Sequence, residues 1–490
     1  MNSNTPVIVG VSQYLQRIED PKDGLEPADM MVKASLEALA DTTAGTAVMK
    51  RIDSIRVIKG LWRYQNPGLY IGEKLGVSGA ETVGSFFGGN SVQSVLNQSA
   101  LDILAGDRSF ILITGAENGH SRARAKKAGY RLSSSEIQGK YDRTIGEEEP
   151  MSGEEELARD IILPIQVYPM FENAIRFHRG ETLEAHLNRI SELWSDFSRV
   201  AAGNPDAWIR DPVEAKAIRT ASASNRMVSF PYPKLMNSNN AVDMSAAIIL
   251  CSVSKAKEMG IPEQKWIYPW GGTDAHDHYR VSNRDNLHSS PAIRIAGNGL
   301  LEMLGLGVND LDHIDIYSCF PSAVQVAATE LGIPEGRPLT VTGGLTFGGG
   351  PLNNYVMHSI ARMVTLLREG REKKGLVTAN GGFLTKHAFG VYSGEPPASD
   401  FMHRDLQAEV DATPSREAVR DHEGEIVIES YTVMYGPNGP VRGHAACLLP
   451  DGKRTWANTD DVEIMEGMTR EEFCGMRARL DGKGTLYLSS

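Results

Sequence analysis

The 490-residue sequence is poor in cysteine, and its four cysteines lie far apart. Their positions show neither metal-ligand spacing nor the pattern of a disulfide framework. They are Cys251, Cys319, Cys447 and Cys474. We therefore expect no bound metal, and a reducing, cytoplasmic location.

Long apolar runs and an excess of positive charge are also missing. No stretch reaches about 18 apolar residues, so the sequence predicts no membrane span. The N-terminal segment has no basic region and no apolar core, and we expect no signal peptide. The net charge of −12 at pH 7 disfavours nucleic acid as a partner.

Two glycine-rich clusters form the most informative pattern in the chain. The first is Phe87-Gly88-Gly89-Asn90 and the second is Phe347-Gly348-Gly349-Gly350. Each precedes an apolar helical pattern and then a strand-like run that contains glycine, at 110–115 and 375–381. This repeated order of glycine cluster, helix and strand indicates one structural unit that occurs twice in the chain.

The two helical patterns carry almost no charge. Asp102 is the only charged residue in the first pattern, and Arg362 is the only one between Leu352 and Leu367 in the second. A helix on the surface of a sheet normally has a charged outer stripe. We therefore expect both helices to be buried between two sheets.

The rest of the chain divides into recognisable parts. Strands are predicted at 7–14, 54–58 and 243–250, and a helix at 26–41. A long irregular region, roughly 120–232, with a helix at 183–200, reads as an insertion over one face of the sheets.

The C-terminal part has the alternation of a small β domain. Residues 425–433 alternate with period two, and short strand-like runs follow at 445–449 and 454–457. The predicted domains are 1–265 with the insertion, 266–398, and a β-barrel-like domain at 405–490.

The order and spacing of several segments resemble the thiolase superfamily, and more narrowly the sterol-carrier-protein-2-type thiolase-like proteins with an added C-terminal β domain. The segments that carry the resemblance are the turn and helix at 83–106, Asp243-Met244-Ser245-Ala246-Ala247, Ile316-Tyr317-Ser318-Cys319-Phe320, Gly343-Gly344-Leu345, Gly350-Pro351 and Asn380-Gly381-Gly382.

This resemblance implies a fold and a substrate class. The fold is an α/β, duplicated five-layer α-β-α-β-α core with a small C-terminal all-β, OB-like domain. The substrate is an acyl-CoA thioester, so that coenzyme A is a substrate or product and no cofactor stays bound. The resemblance also implies a homodimer, although an added β domain that covers the dimer surface would leave a monomer.

The sequence departs from the family at its reactive positions. The nucleophilic cysteine that the resemblance places before the first central helix falls on Gly89 or Asn90. The family's Gly-His-Pro reads Gly349-Gly350-Pro351, and its second cysteine falls near Ala379 or Asn380. Ordinary transfer through an acylated cysteine is therefore not expected at these positions.

The glycine-rich turns remain candidates for polarising a thioester. Backbone N–H groups of Gly89, Asn90, Gly349 and Gly350 are predicted to bind substrate or CoA. The side chain of Asn90 either adds an amide donor or caps its helix.

Three side chains are candidates for catalysis. Tyr317 is a proton donor to an enolate oxygen, or a buried hydroxyl with a structural partner. Cys319 is a base or displaced nucleophile, or a small buried apolar group. His387 is a general base, or a loop histidine. The basic run from Arg122 to Arg131 either contacts CoA phosphates or forms a solvated face.

These observations predict a thiolase-like enzyme of the acyltransferase class. It makes or breaks a carbon–carbon bond of an acyl-CoA without the usual cysteine nucleophile. Three alternatives stay open: a non-catalytic protein that binds acyl-CoA or lipid, a retro-aldolase on 3-hydroxyacyl-CoA, and a thiolase that uses Cys319.

Overall fold

The computed structural model describes residues 2–488. In chain order its strands are β1 Pro6–Leu15, β2 Ser54–Val57, β3 Glu81–Ser85, β4 Phe110–Asn118, β5 Arg143–Ile145, β6 Met227–Ser229, β7 Tyr232–Pro233, β8 Asp243–Ser252, β9 Tyr268–His276, β10 His313–Asp315, β11 Lys374–Gly381, β12 Lys386–Ser393, β13 Met402–Asp405, β14 Gly424–Gly436, β15 Gly439–Leu448, β16 Arg454–Thr459, β17 Arg477–Leu480 and β18 Leu486–Leu488.

The α-helices lie between these strands. In chain order they are α1 Pro27–Asp41, α2 Thr46–Met49, α3 Pro67–Leu75, α4 Ser91–Ala105, α5 Gly119–Lys127, α6 Glu154–Leu157, α7 Pro164–Arg179, α8 Leu183–Gly203, α9 Ala215–Arg219, α10 Val253–Glu258, α11 Asn298–Met303, α12 Pro321–Glu330, α13 Tyr355–Glu369, α14 Gln407–Asp411 and α15 Val462–Met468.

Two sheets repeat one strand arrangement. The first sheet has the order β1-β8-β4-β2-β3-β5, and the second has the order β10-β11-β12-β9-β13. In the first, β2 and β4 are parallel, and β8 then pairs antiparallel with β4 and with β1. In the second, β10 and β11 are parallel, and β12 then pairs antiparallel with β11 and with β9. The predicted duplication is therefore confirmed.

The central helices α4 and α13 lie between the two sheets. Helix α4 packs against β8, β9, β11 and β12, and α13 packs against α4, β1, β8 and β11. The outer layers are α1, which covers β1, β4 and β8, and α11 with the π-turn before it, which packs on β9. This arrangement confirms the predicted layered α/β core and explains why both central helices lack a charged stripe.

The insertion is more helical than its sequence suggests. Helix α8 confirms the predicted helix, but α7 was predicted as irregular chain. Pro164 and Pro169 obscure a helical stripe in the sequence of α7. Its polar residues Glu172, Asn173 and Arg176 are buried as well, because α7 packs on α12 on one side and on β14 on another. Helix α7 is consequently buried on more than one face.

The C-terminal residues form a third, antiparallel sheet of order β16-β15-β14-β17-β18. This confirms the predicted C-terminal β-sheet, to which helices α14 and α15 are added, so the region is not all-β. Its OB-like topology stays a prediction. The insertion adds β6 to this sheet, with Ser229 opposite Met434.

Buried hydrogen bonds fix the third sheet to the core. The guanidinium of Arg454 is fully buried, forms two 2.7 Å bonds with Glu429 and donates to the carbonyl of Ser282 at 2.9 Å. The indole of Trp456 donates to Ser282 Oγ at 2.7 Å.

The described chain, residues 2–488, holds no helix whose length and apolarity would suit a bilayer.

A buried ion pair connects the first sheet to the central layer. The side chain of Arg56 on β2 is fully buried, and its guanidinium lies 2.5 Å from the carboxylate of Asp102 on α4. Arg143 on the edge strand β5 contacts the same carboxylate. The buried carboxylate of Asp102 thus links α4 to both β2 and β5.

We predict that Arg56→Met lowers the free energy of unfolding of the core by about 3 kcal/mol, because Asp102 would lose a buried partner. Denaturant unfolding followed by circular dichroism measures the effect. Arg108→Met is the matched control, because Arg108 is 32% exposed in its pair with Glu81 and should cost less than about 1 kcal/mol. Equal losses for the two variants would contradict the prediction.

Candidate functional site

The first glycine-rich turn is closely packed where the second half of the core meets α4. A β-carbon built on Gly89 would lie 2.4 Å from the Tyr317 hydroxyl and 2.3 Å from the Asn380 carbonyl oxygen. No side chain fits at this position unless its neighbours move. The Tyr317 hydroxyl therefore occupies the space in which a side chain of residue 89 would begin.

Backbone donors at this turn are free. The N–H groups of Gly89 and Asn90 donate to no acceptor among residues 2–488. Asn90 makes no capping hydrogen bond, so the cap that its sequence position suggested is not observed. Its Nδ2 lies 3.4 Å from Ser94 Oγ, and its Oδ1 is buried without a partner in the described chain. The N-terminus of α4 thus keeps its capacity to bind an anionic or polarised oxygen.

Tyr317 follows β10 and points its hydroxyl at this turn. Its backbone N–H donates to Thr378 Oγ1 at 3.0 Å, and its ring packs edge-on against Tyr355. The hydroxyl has no hydrogen-bond partner in the described part of the chain, residues 2–488. Burial raises the pKa of Tyr317 well above its usual value, so the group remains a proton donor at neutral pH.

Cys319 lies close to Tyr317 but in an environment that suppresses its reactivity. Burial raises the pKa of its thiol to about 12. The amide of Asn380 lies 3.8 Å from its sulfur and 3.0 Å from the Tyr168 hydroxyl. The ring of Tyr168 stacks on Phe320 at 4.5 Å. This packing is that of a small buried thiol, since a reactive cysteine is a thiolate near neutral pH.

His387 is not the loop histidine that one reading of the sequence suggested, because it is 2% exposed on β12. Its Nε2 lies 3.2 Å from the Leu384 carbonyl oxygen and 3.6 Å from the Asp277 carboxylate. It shares with Tyr317 only a void of about 10 Å³, which holds about one water molecule. The structure does not bring His387 into contact with the turn at Gly89.

The second glycine-rich turn has a different structure from the first. The N–H of Gly349 donates to the Gly344 carbonyl at 3.3 Å, and that of Gly350 donates to the Asn239 carbonyl at 3.0 Å. A β-carbon on Gly349 would meet the side chains of Met244 and Trp208. The predicted substrate-binding donors of this turn are therefore already used inside the protein.

Lys386 is a functional candidate that the sequence reasoning missed. Its ammonium lies 2.7 Å from the Phe87 carbonyl oxygen, beside Gly88. Burial lowers the pKa of Lys386, and the nearby Glu148 opposes this shift. The one signal in the sequence is its position as a lone charge at the start of the buried strand β12.

A loop of the insertion closes the site from outside. The sulfur of Met151 lies 3.1 Å from the position of a β-carbon on Gly382, next to the end of β11. Glu148 belongs to the same loop and lies near Lys386. The turn, Tyr317 and Lys386 therefore form a small site under an acidic loop.

Comparison with known proteins identifies relatives of the whole chain. Residues 405–485 match the family described as the additional C-terminal domain of thiolase-like protein type 1. A monomeric SCP2-thiolase-like protein type 1 from Mycobacterium smegmatis is 30% identical, with a TM-score of 0.85, and the match covers 100% of both chains.

More distant relatives share the core. The Ltp2–ChsH2(DUF35) aldolase structure is 18% identical over 79% of this chain and 97% of that chain, with a TM-score of 0.61. An acetyl-CoA acetyltransferase of Methanocaldococcus jannaschii is 22% identical over 48% of this chain and 53% of its own length. The chain thus spans about half the length of the curated relatives it matches.

We predict that Gly89→Ala destabilises the protein by about 1–3 kcal/mol, because the new methyl group would overlap the Tyr317 hydroxyl and the Asn380 carbonyl. Gly203→Ala is the control, since nothing lies within 4 Å of its added β-carbon at the end of α8. That change should stabilise the helix by up to about 1 kcal/mol. Thermal unfolding that ranks the two variants in the opposite order would contradict the packing described for the turn.

The environment of Cys319 predicts a slow thiol. With a pKa of about 12, roughly one thiol in ten thousand is ionised at pH 8. We expect native protein to resist iodoacetamide at pH 8, and unfolded protein to be modified at all four cysteines. Peptide mass spectrometry after a timed quench measures this, and rapid native modification of Cys319 would refute the prediction.

Proposed function

The chain belongs to the type 1 SCP2-thiolase-like proteins, and on this basis we propose that it acts on acyl-CoA thioesters by making or breaking a carbon–carbon bond without an acyl-enzyme. The observation that carries this proposal is the Tyr317 hydroxyl, which fills the side-chain space at Gly89. A proton donor faces the free N–H groups of the α4 N-terminus at a place where a nucleophile would be needed for acyl transfer.

The relatives support the substrate class and the reaction type separately. A distant curated relative is an acetyl-CoA acetyltransferase, and a structure that shares the fold is described as an aldolase. An aldol-type reaction needs a base and a stabilised enolate, and it needs no covalent intermediate.

The reaction we propose is a retro-aldol cleavage of a 3-hydroxyacyl-CoA, or its reverse. A base removes the proton of the 3-hydroxyl group, the bond between C2 and C3 breaks, and C3 leaves as a carbonyl compound. The electron pair passes to the thioester as an enolate, and protonation at C2 gives the shortened acyl-CoA. The Tyr317 hydroxyl and the Gly89 N–H bind the enolate oxygen.

Lys386 is our choice for the base. Its amine lies beside the turn, and its lowered pKa increases the fraction of neutral amine at neutral pH. His387 faces Asp277 and Leu384 instead, and we assign it the role of holding the β12 end in place. Cys319 remains a buried thiol in this scheme.

Substrate entry requires the insertion loop to move. The void at Tyr317 is too small for a thioester, and Met151 covers the end of β11 beside it. Displacement of this loop would open a path to Tyr317, Lys386 and the N–H groups of the turn. Loops of this kind commonly close over a substrate during catalysis.

A second candidate function is non-catalytic binding of acyl-CoA or lipid. It is favoured by the lack of a cysteine where the family resemblance places one, at Gly89 or Asn90 and near Ala379 or Asn380. Binding of CoA without turnover of any thioester in a broad panel would decide for this alternative.

We propose a monomeric protein. In the first sheet β5 covers the edge of β3, with Val83 opposite Arg143, and so forms the new edge. This edge strand has only three residues and begins with an arginine, which disfavours pairing with a second chain. The Mycobacterium smegmatis relative is likewise described as monomeric.

The test is cleavage of 3-hydroxyacyl-CoAs of several chain lengths by the full chain. We predict that Tyr317→Phe lowers turnover by about 10²–10³-fold, because the enolate loses one preorganised donor. Tyr431→Phe is the matched control, since it removes a buried phenol of the third sheet that donates to the Glu471 carbonyl at 3.2 Å, and turnover should not change.

Three outcomes would count against the proposal. If the Tyr317→Phe variant still cleaves 3-hydroxyacyl-CoA at the original rate, Tyr317 is not the donor to the enolate oxygen. Thiolysis of acetoacetyl-CoA with an acyl adduct on Cys319 would replace the mechanism with ordinary thiolase chemistry. Absence of all turnover, with retained CoA binding, would leave the binding function.

A further inference from the structure

A cavity of about 720 Å³ opens at the far end of the first sheet. It lies at the carboxyl ends of the parallel strands β2 and β4, between the loop that follows β2 and helix α5. Its walls include the predicted basic run and three aromatic rings. A cavity of this size accommodates a small organic ligand.

The duplication of the core gives this cavity a counterpart. Val57 of β2 pairs with Thr114 of β4, and Asp315 of β10 pairs with Val377 of β11 in the same parallel arrangement. The loop after β10 carries Tyr317, and the loop after β2 forms the cavity. The cavity thus occupies in the first half the place that the Tyr317 site occupies in the second.

Positive charge dominates the lining. Four cations face the cavity: Arg63, Arg122, Lys126 and Arg131. Arg122 pairs with the Glu117 carboxylate at 3.0 Å, whereas the other three have no carboxylate within ion-pair distance in residues 2–488. Uncompensated cations around a concave surface attract anionic ligands.

Of the two carboxylates beside the cavity, Glu117 compensates only Arg122, and Glu26 forms no ion pair among residues 2–488. Glu117 is 2% exposed, and it also accepts the Leu61 N–H at 2.6 Å. Burial raises the pKa of Glu117 to about 7, while the Leu61 bond and Arg122 lower it. Glu26 is held by Tyr64 at 2.8 Å and by Ser135.

Aromatic rings and an unpartnered amide complete the wall. The ring centroids of Trp62 and Tyr64 lie 5.1 Å apart, and Tyr130 also lines the cavity. Asn118 is 5% exposed, and its Oδ1 has no hydrogen-bond partner among the described residues. A buried amide oxygen at a cavity wall is a ready acceptor for a ligand N–H.

We infer that this cavity binds a nucleoside phosphate. The partly exposed ring of Tyr130 offers a face for a base, with the buried Trp62 and Tyr64 behind the wall. The Asn118 carbonyl oxygen accepts from an exocyclic amine, and the guanidinium and ammonium groups bind phosphate. Two sources supply this chemistry, a free nucleotide or the nucleotide end of coenzyme A. For a free nucleotide the inference is independent of the proposed function, because it uses no residue of the Tyr317 site; for coenzyme A it rests on that function.

Calorimetric titration of the full chain with ADP, adenosine, CoA and pantetheine tests the inference. We expect ADP or CoA to bind, and adenosine and pantetheine to bind at least about tenfold more weakly, because they lack the phosphates that the cations contact. Tighter binding of CoA than of ADP identifies coenzyme A as the source if removal of the cavity cations Arg63 and Lys126 weakens it, and the reverse order identifies a free nucleotide.

Matched variants locate the site. The double variant Arg63→Ala/Lys126→Ala should weaken binding by at least about tenfold, while Lys127→Ala, which removes a neighbouring exposed charge outside the cavity, should leave it unchanged. Both changes are at exposed positions, so the fold should persist, and thermal unfolding verifies this.

The inference is overturned if neither ADP nor CoA binds, or if Lys127→Ala weakens binding as much as the double variant does. The variant Tyr317→Phe distinguishes a failure of this inference from a failure of the proposed function. Nucleotide binding that persists in this variant while turnover is lost supports two independent sites, and binding that is lost with it overturns the assignment to this cavity.

Discussion

Burial of two helices between two sheets is the constraint on which this structure depends. Neither α4 nor α13 meets water along most of its length, so each polar side chain needs a partner from a sheet. Gln93 accepts the Tyr392 hydroxyl at 2.8 Å, and Asn97 donates to Asp274 at 2.9 Å. These bonds orient α4 against the second sheet, although α4 belongs to the first half of the chain. Because the helix is held in this way, its N-terminus is directed at the strand ends of the opposite half.

Helix α13 likewise belongs to one half of the chain and bonds to the sheet of the other half, but the turn before it differs from the turn before α4. The Asn354 amide at the start of α13 donates to the Gly115 carbonyl of the first sheet at 2.9 Å. There the N–H groups of the glycine-rich turn are used by the carbonyls of Gly344 and Asn239. At α4 the turn meets Tyr317 and keeps its donors free. The two copies of the duplicated unit thus differ. The turn before α13 has its N–H groups bonded within the protein, whereas the turn before α4 keeps free N–H groups, and the chemistry that we propose takes place at α4.

Sequence patterns predicted the core well because its signals are local. The lone Asp102 in an apolar helix and the runs of buried strand residues reflect burial on both faces, which the sequence records directly. Side-chain neighbours are a different matter, since they depend on contacts between residues about 300 positions apart. Lys386 was missed because only the fold brings it to Phe87. His387 follows it in sequence, yet its Nε2 lies 3.6 Å from Asp277, just beyond the end of β9. The loss of free donors at Gly350 could not be predicted either, because it depends on a loop that crosses from residue 239.

The contact between Gly89 and Tyr317 also bears on how such a protein can change over evolutionary time. A cysteine at position 89 would need its β-carbon where the Tyr317 hydroxyl and the Asn380 carbonyl now lie. A side chain at position 89 therefore requires a smaller residue at 317 and a shift of the strand end at Asn380. A smaller residue at 317, by contrast, is compatible with glycine at 89. The order of substitutions is thus constrained: residue 317 has to change before position 89 can carry a nucleophile without strain.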